Sequence, residues 1–72
     1  MREPIRELDV VALVRDHPER KLLAGQVGTV VETLAPETFE VEFVDDHGRT
    51  YATAPLRAAE LMVLHYAPAA AV

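Results

Sequence analysis

The chain contains no cysteine and no serine. The absence of cysteine excludes a disulfide framework and a thiolate zinc site. Together the two absences remove the side chains most often used as covalent nucleophiles. The longest uncharged stretch, residues 61–72, is far shorter than the roughly 20 apolar residues that a membrane-spanning helix needs. We therefore expect no membrane association.

The beginning of the chain lacks the apolar core of a secretory signal, because Met1-Arg2-Glu3-Pro4 is followed by further charged residues. We expect a cytoplasmic protein. Its 72 residues, of which 50% are hydrophobic and 26% charged, predict one small globular domain. We place a polar lead-in at residues 1–7, the domain at residues 8–66 and a flexible tail at residues 67–72.

The formal net charge is −5, and the acidic residues are concentrated in one part of the chain. The segment from Glu32 to Asp46 contains no Lys or Arg. Its acidic residues are Glu32, Glu37, Glu40, Glu42, Asp45 and Asp46. Such a concentration is either a solvated sheet face or a surface that meets a basic partner.

Alternation of apolar and polar residues predicts five short strands. They are Leu8–Val14, Val27–Leu34, Phe39–Val44, Arg49–Ala54 and Met62–Leu64. In the first strand we expect the face that carries Leu8, Val10, Ala12 and Val14 to be the core face, because the opposite face carries Asp9. The complete predicted core is Val10, Ala12, Val14, Val27, Val30, Leu34, Phe39, Val41, Phe43, Leu56, Leu61 and Val63.

Glycine and proline predict where the strands turn or stop. Gly25 and Gly48 suit turns with positive φ. Gly28 suits a bulge that would bring both Val27 and Val30 to the core face. Pro55 is expected to end the fourth strand and to open a helical turn that extends to Leu61.

These elements together predict an all-β fold. Five short strands, a long first loop and one short helical turn before the last strand are typical of a small Src-homology-3-like barrel. In such a barrel, closure of the sheet hides most strand edges.

Three segments carry a resemblance to a known family: Asp9–Leu13, Gly25–Val31 and Phe39–Asp45. In particular, the pattern Gly-x-x-Gly-Thr-Val followed by Val-Glu-Phe-Val-Asp resembles a family of short, uncharacterised bacterial proteins catalogued as a domain of unknown function. The resemblance implies a small barrel and carries over no catalytic residue. It also implies a gene neighbourhood like that of toxin–antitoxin or immunity pairs. The glycine pattern is similar, more loosely, to KOW-type barrels of ribosomal and transcription factors.

No set of residues has the spacing that catalysis or metal binding needs. His17, His47 and His65 are isolated, and the cluster of His47 with Asp45 and Asp46 is typical of an exposed turn. Gly25 and Gly28 are not followed by the Lys and helix of a phosphate-binding loop. We expect no catalytic residue, cofactor or metal, and hence no enzyme.

The favoured function is a non-catalytic protein-interaction module. Its acidic hairpin, defined by Glu40, Glu42, Asp45 and Asp46, would bind the basic surface of a partner such as a toxin or an enzyme subunit. The alternative is a KOW-like barrel that contacts RNA or the ribosome through its first loop, with Arg15, Arg20 and Lys21. Nucleic acid is the less favoured partner, because the acidic hairpin repels phosphate. Homodimerisation through the tail is left open.

Overall fold

The computed structural model describes residues 3–69, which form five strands and two short 3₁₀ helices. The strands are β1 (Val10–Leu13), β2 (Val27–Ala35), β3 (Thr38–Val44), β4 (Thr50–Arg57) and β5 (Leu61–Val63). The 3₁₀ helices are Pro18–Arg20 in the first loop and Ala58–Glu60 between β4 and β5. The strands pair antiparallel in the order β4–β3–β2–β1–β5.

The predicted all-β fold, with five strands and one short helical turn before the last strand, is confirmed. The sheet curls around a single core, since β4 and β5 lie at opposite ends of the strand order yet bury Leu56 and Leu61 in the same cluster. Residues 70–72, which belong to the predicted tail, and residues 1 and 2 of the predicted lead-in lie outside the described part of the chain.

The inner face of the sheet supplies most of the core. Seven predicted core residues are buried: Ala12, Val30, Phe39, Val41, Phe43, Leu56 and Leu61. Val10 and Val63 are half-buried. The structure adds four buried residues that the prediction missed, namely Val11, Leu13, Leu22 and Ala54.

The face predicted for β1 was wrong. Val11 and Leu13 point into the core, whereas Leu8 and Val14 are 79% and 46% exposed. The prediction used Asp9 to mark the outer face, but Asp9 precedes the strand. Its carboxylate oxygen Oδ2 accepts a hydrogen bond from the backbone N–H of Arg6 at 2.9 Å. Asp9 therefore belongs to a local turn and carries no information about which face of β1 is buried.

The bulge predicted at Gly28 is absent. Gly28 pairs in regular register with Val11 on one side and with Phe43 on the other. A Cβ on Gly28 would lie 2.7 Å from Cγ1 of Val41, 2.8 Å from the backbone oxygen of Glu42 and 3.0 Å from Cδ1 of Phe43. Gly28 thus faces inward, where neighbouring core side chains occupy the space of its missing one.

Two other residues of β2, Val27 and Leu34, were also wrongly predicted to lie in the core. Because Gly28 faces inward, its neighbour Val27 faces outward and is 44% exposed. The register shifts lie further along, at Val31 between Val30 and Glu32 and at Leu34 between Thr33 and Ala35. Leu34 is therefore a bulged residue, and it is 46% exposed rather than in the core.

Two loop and edge features were also not anticipated. Within the first loop, His17 and Leu22 form an isolated antiparallel β-bridge. Leu22 lies in the core and is 1% exposed. Pro55 does not end β4 but lies inside it, opposite Glu40. This is tolerated because β4 is an edge strand, where a missing N–H can point away from the sheet.

We expect Gly28→Ala to lower the free energy of unfolding by about 1–3 kcal/mol, because its methyl group would overlap a backbone oxygen that cannot rotate away. Chemical denaturation followed by circular dichroism measures the change. The control is Thr33→Ala, at an exposed position of the same strand, which should change stability by less than about 0.5 kcal/mol. Equal stability of the two variants would contradict the close packing at Gly28.

Candidate functional site

Glu40 and Glu42 lie on the outer face of the sheet, defined here as the face of β1–β5 directed away from the core. They alternate along β3 with buried Phe39, Val41 and Phe43, as the sequence predicts. Glu40 lies directly opposite Glu32 of β2. We name Glu32, Glu40 and Glu42 the acidic strip. Like charges in directly opposed positions destabilise a sheet, so the strip is not explained by sheet pairing.

No basic side chain among residues 3–69 forms an ion pair with the acidic strip. In the part of the chain from residue 3 to residue 69, every close contact between a carboxylate and a basic side chain is to a histidine, and none involves the strip. Glu42 accepts one hydrogen bond, at 2.8 Å from the hydroxyl of Thr50 to its Oε2. The carboxylates of the strip are therefore available for interactions with groups outside the described residues.

Asp45 has a structural role in the turn between β3 and β4. Its Oδ1 accepts hydrogen bonds from the backbone N–H groups of His47, at 2.8 Å, and Arg49, at 2.9 Å. The backbone of Asp45 also donates to the carbonyl of Arg49 and accepts from the N–H of Gly48. Gly48 has the positive φ that the sequence predicts, at 81°. The Asp45 carboxylate is thus largely used in shaping the turn.

The acidic hairpin consequently divides into two parts. Asp46 is exposed at the tip of the turn, where its Oδ1 lies 3.6 Å from Nε2 of an equally exposed His47. Glu40 and Glu42 lie on the strand itself and are half-buried. The two strand residues form a defined surface with Glu32, whereas the turn residues form a hydrogen-bonded loop.

An apolar row crosses the outer face next to the acidic strip. Ala12 of β1 lies between its cross-strand partners Val27 and Met62. Val44 continues the row on β3, two residues beyond Glu42 and therefore on the same face. Met62, Val27 and Val44 are 53%, 44% and 37% exposed. We name Met62, Ala12, Val27 and Val44 the apolar row.

Sequence reasoning missed the apolar row because it placed Val27 in the core and assigned Ala12 to the inner face of β1. A signal was nevertheless present. The run Val10–Val14 is apolar at every position, so whichever face of β1 is buried, the other is apolar as well. In an antiparallel sheet with one face toward solvent, alternation with polar residues is the usual pattern. An unbroken apolar run therefore indicates a second, outward apolar surface.

One end of the apolar row adjoins a shallow depression of about 270 Å³. It lies between the N-terminal segment and β5, and its lining residues are Glu3, Ile5, Val14, Leu61, Met62 and Val63. Five of the six are apolar, and Glu3 supplies a carboxylate, which contacts Nε2 of His65 at 2.7 Å. The depression can accommodate a small apolar side chain but has no set of polar groups for a specific small molecule.

The histidines lie apart from this surface or at its margin. His17 is mostly buried, with Nδ1 at 3.3 Å from Oε1 of Glu19 and Nε2 at 3.4 Å from Oε1 of Glu60. It joins the first loop to the 3₁₀ helix before β5. Within residues 3–69, no group of three or more His, Asp or Glu side chains is arranged to hold a metal ion.

The candidate RNA-binding residues of the first loop, Arg15, Arg20 and Lys21, are all exposed. They have no carboxylate partner among the described residues. No helix in the described part of the chain has the length and hydropathy needed to cross a membrane.

We expect Asp45→Ala to lower the free energy of unfolding by about 1–2 kcal/mol, because two backbone N–H groups lose their acceptor. Asp45→Asn keeps an acceptor oxygen and should cost less. The matched control is the neighbouring Asp46→Ala, with a change below about 0.5 kcal/mol. Thermal melting of the three variants measures the order, and equal effects at both positions would contradict the structural role of Asp45.

The chain matches the family model described as Domain of unknown function (DUF4926) over residues 7–63. The matched segment contains all five strands and the acidic strip. No curated protein and no solved structure gives a significant match. Because the match covers most of the 72 residues, the chain belongs to the DUF4926 family.

Proposed function

We propose that this protein is a non-catalytic interaction module that binds the basic surface of a protein partner. The observation that carries the proposal is the acidic strip, in which Glu32, Glu40 and Glu42 share the outer face and have no basic partner in the described part of the chain. Asp46 extends the same negative region to the tip of the hairpin, while Asp45 shapes the turn that presents it.

The physical argument is charge complementarity. Opposed carboxylates such as Glu32 and Glu40 repel each other in the free protein. A Lys or Arg placed between them would reduce this repulsion and form charge-assisted hydrogen bonds. Charges of this kind raise the rate of association and make it dependent on salt, more than they raise affinity.

The class of partner follows from the same chemistry. We propose a bacterial, cytoplasmic partner that presents a cluster of Lys or Arg, such as a toxin that acts on nucleic acid or a subunit of an enzyme complex. Covering that cluster would block access of nucleic acid in the first case, as an antitoxin or immunity protein does. In the second case the module would be an accessory subunit, and catalysis would belong to the partner.

A second candidate function is a KOW-like barrel that contacts RNA. One observation favours it. Arg20 and Lys21 of the first loop are exposed, and neither forms an ion pair with a described residue. The net charge of −5 and the acidic strip on the outer face of the sheet oppose it, because both repel the phosphate backbone. We therefore favour the protein-binding function.

The first test identifies the partner. The tagged protein is expressed in its native organism and purified at low and high salt, with and without nuclease treatment. We expect one stoichiometric protein partner that resists nuclease and is lost at high salt. Ribosomal proteins or RNA that disappear after nuclease treatment would instead support the RNA-binding function.

The second test reverses the charge of the strip. We expect Glu40→Lys/Glu42→Lys to slow association with the purified partner by about tenfold or more at low salt, with a smaller effect at high salt. Surface plasmon resonance measures both rates. The matched control is Glu19→Lys/Glu37→Lys, which makes the same change in net charge at exposed positions outside β3. Equal slowing by both double variants would show a general effect of net charge and overturn the assignment to the strip.

A further inference from the structure

The apolar row lies next to the acidic strip without any element of the described chain covering it. Its exposed members, Met62, Val27 and Val44, lie on three different strands. Ala12 lies between two of them, as the cross-strand partner of both Val27 and Met62, and is itself only 6% exposed. The row is therefore a continuous apolar surface. Isolated exposed apolar side chains would need no explanation, whereas a continuous apolar surface does.

We propose that the apolar row and the acidic strip together form one docking surface, and that its occupant is an amphipathic segment of the partner. This segment carries apolar side chains that cover Val27, Val44 and Met62, and it carries Lys or Arg side chains that face Glu40 and Glu42. The inference rests on the proposed function, since it specifies which part of a basic partner makes the contact.

The distance between neighbouring strands determines the dimensions that the partner's segment must have. Neighbouring strands lie about 4.8 Å apart, so the row from β5 to β3 extends over about 14 Å. Glu42 is two residues from Val44 on the same strand, which is about 7 Å. The occupant therefore needs apolar side chains over about 14 Å, with basic side chains along one flank. A purely basic surface would leave the apolar row in contact with water.

The depression beside β5 supplies an anchor point at the end of the row. Met62 belongs to both features, and Val14 extends the apolar surface from Ala12 into the depression. One apolar side chain of the occupant can insert there, and Glu3 at the rim can face a basic neighbour. Binding energy in interfaces is concentrated in such anchors that fill pockets within a complementary charged rim.

Charge decides against a second copy of this chain as the occupant. Each copy has a formal net charge of −5, and the acidic strip borders the apolar row directly. Stacking two outer faces with their strips on the same side would bring the strips together in a desolvated interface, and in any orientation a copy with a net charge of −5 supplies no net positive charge to face them. Like-charge juxtaposition of this kind is strongly unfavourable. A segment of opposite charge faces no such penalty.

The test uses synthetic peptides of about 14 residues, which extend over roughly 21 Å when helical. The first contains only Leu and Lys, ordered so that one helical face is apolar. The second has the same composition in an order that leaves no apolar face, and the third contains only Lys and Gly with the same charge. Each is titrated into the ¹⁵N-labelled protein and followed by NMR.

We expect the amphipathic peptide to bind most tightly and to shift the resonances of Val27, Val44 and Met62 together with Glu40 and Glu42. The double variant Val27→Thr/Met62→Gln should weaken its binding by about tenfold, with the salt dependence unchanged. The variant Glu40→Gln/Glu42→Gln should weaken binding and reduce the salt dependence. Leu23→Gln, at a 61% exposed loop position, is the matched control and should change nothing.

Three outcomes overturn the inference. Equal binding of all three peptides would show attraction by charge alone, so the docking surface would fail while the proposed function remained. No binding of any basic peptide would remove support for both. A dimer seen by sedimentation velocity and lost in Val27→Thr/Met62→Gln would make a second copy the occupant. Melting curves of each variant establish that it is folded before binding is compared.

Discussion

The close approach of three strands at Gly28 is the constraint on which the rest of the structure depends. Gly28 pairs with Val11 on β1 and with Phe43 on β3, so it lies in the middle of the sheet. The side chains of Val41 and Phe43 occupy the volume that a side chain on Gly28 would need. The ring of Phe43 thus packs into the space left by Gly28. This packing determines which faces of β1, β2 and β3 point into the core.

The composition of the outer face follows from the inward orientation of Gly28. Because side chains alternate along a strand, an inward Gly28 requires an outward Val27, and the pairing carries the same orientation to Ala12 and Met62. On β3 the inward Phe43 requires outward Glu42 and Val44. The acidic strip and the apolar row are therefore products of one register. The proposed function rests on this arrangement, an exposed apolar surface beside carboxylates that form no ion pair within the described residues.

Sequence patterns predicted the elements that depend on local alternation and turn chemistry. The strand with alternating Phe39, Val41 and Phe43, the outward Glu40 and Glu42, and the turn at Gly48 could all be read directly. Local patterns could not decide between two apolar faces of β1, because that choice depends on cross-strand pairing with Gly28. They also could not show that Leu22 reaches the core from a loop, or that Asp45 is used by its own turn. The apolar row was missed for the first of these reasons.

The most direct measurement of the register uses the absence of cysteine from the chain. Single variants Val27→Cys and Val30→Cys place a thiol at two positions that simple alternation with a bulge would put in the same core. Their reaction with a thiol reagent is followed under native conditions and in denaturant. The account predicts rapid labelling at position 27 and protection at position 30 until the protein unfolds. Protection at both positions would contradict it, and the outer apolar row would then not exist.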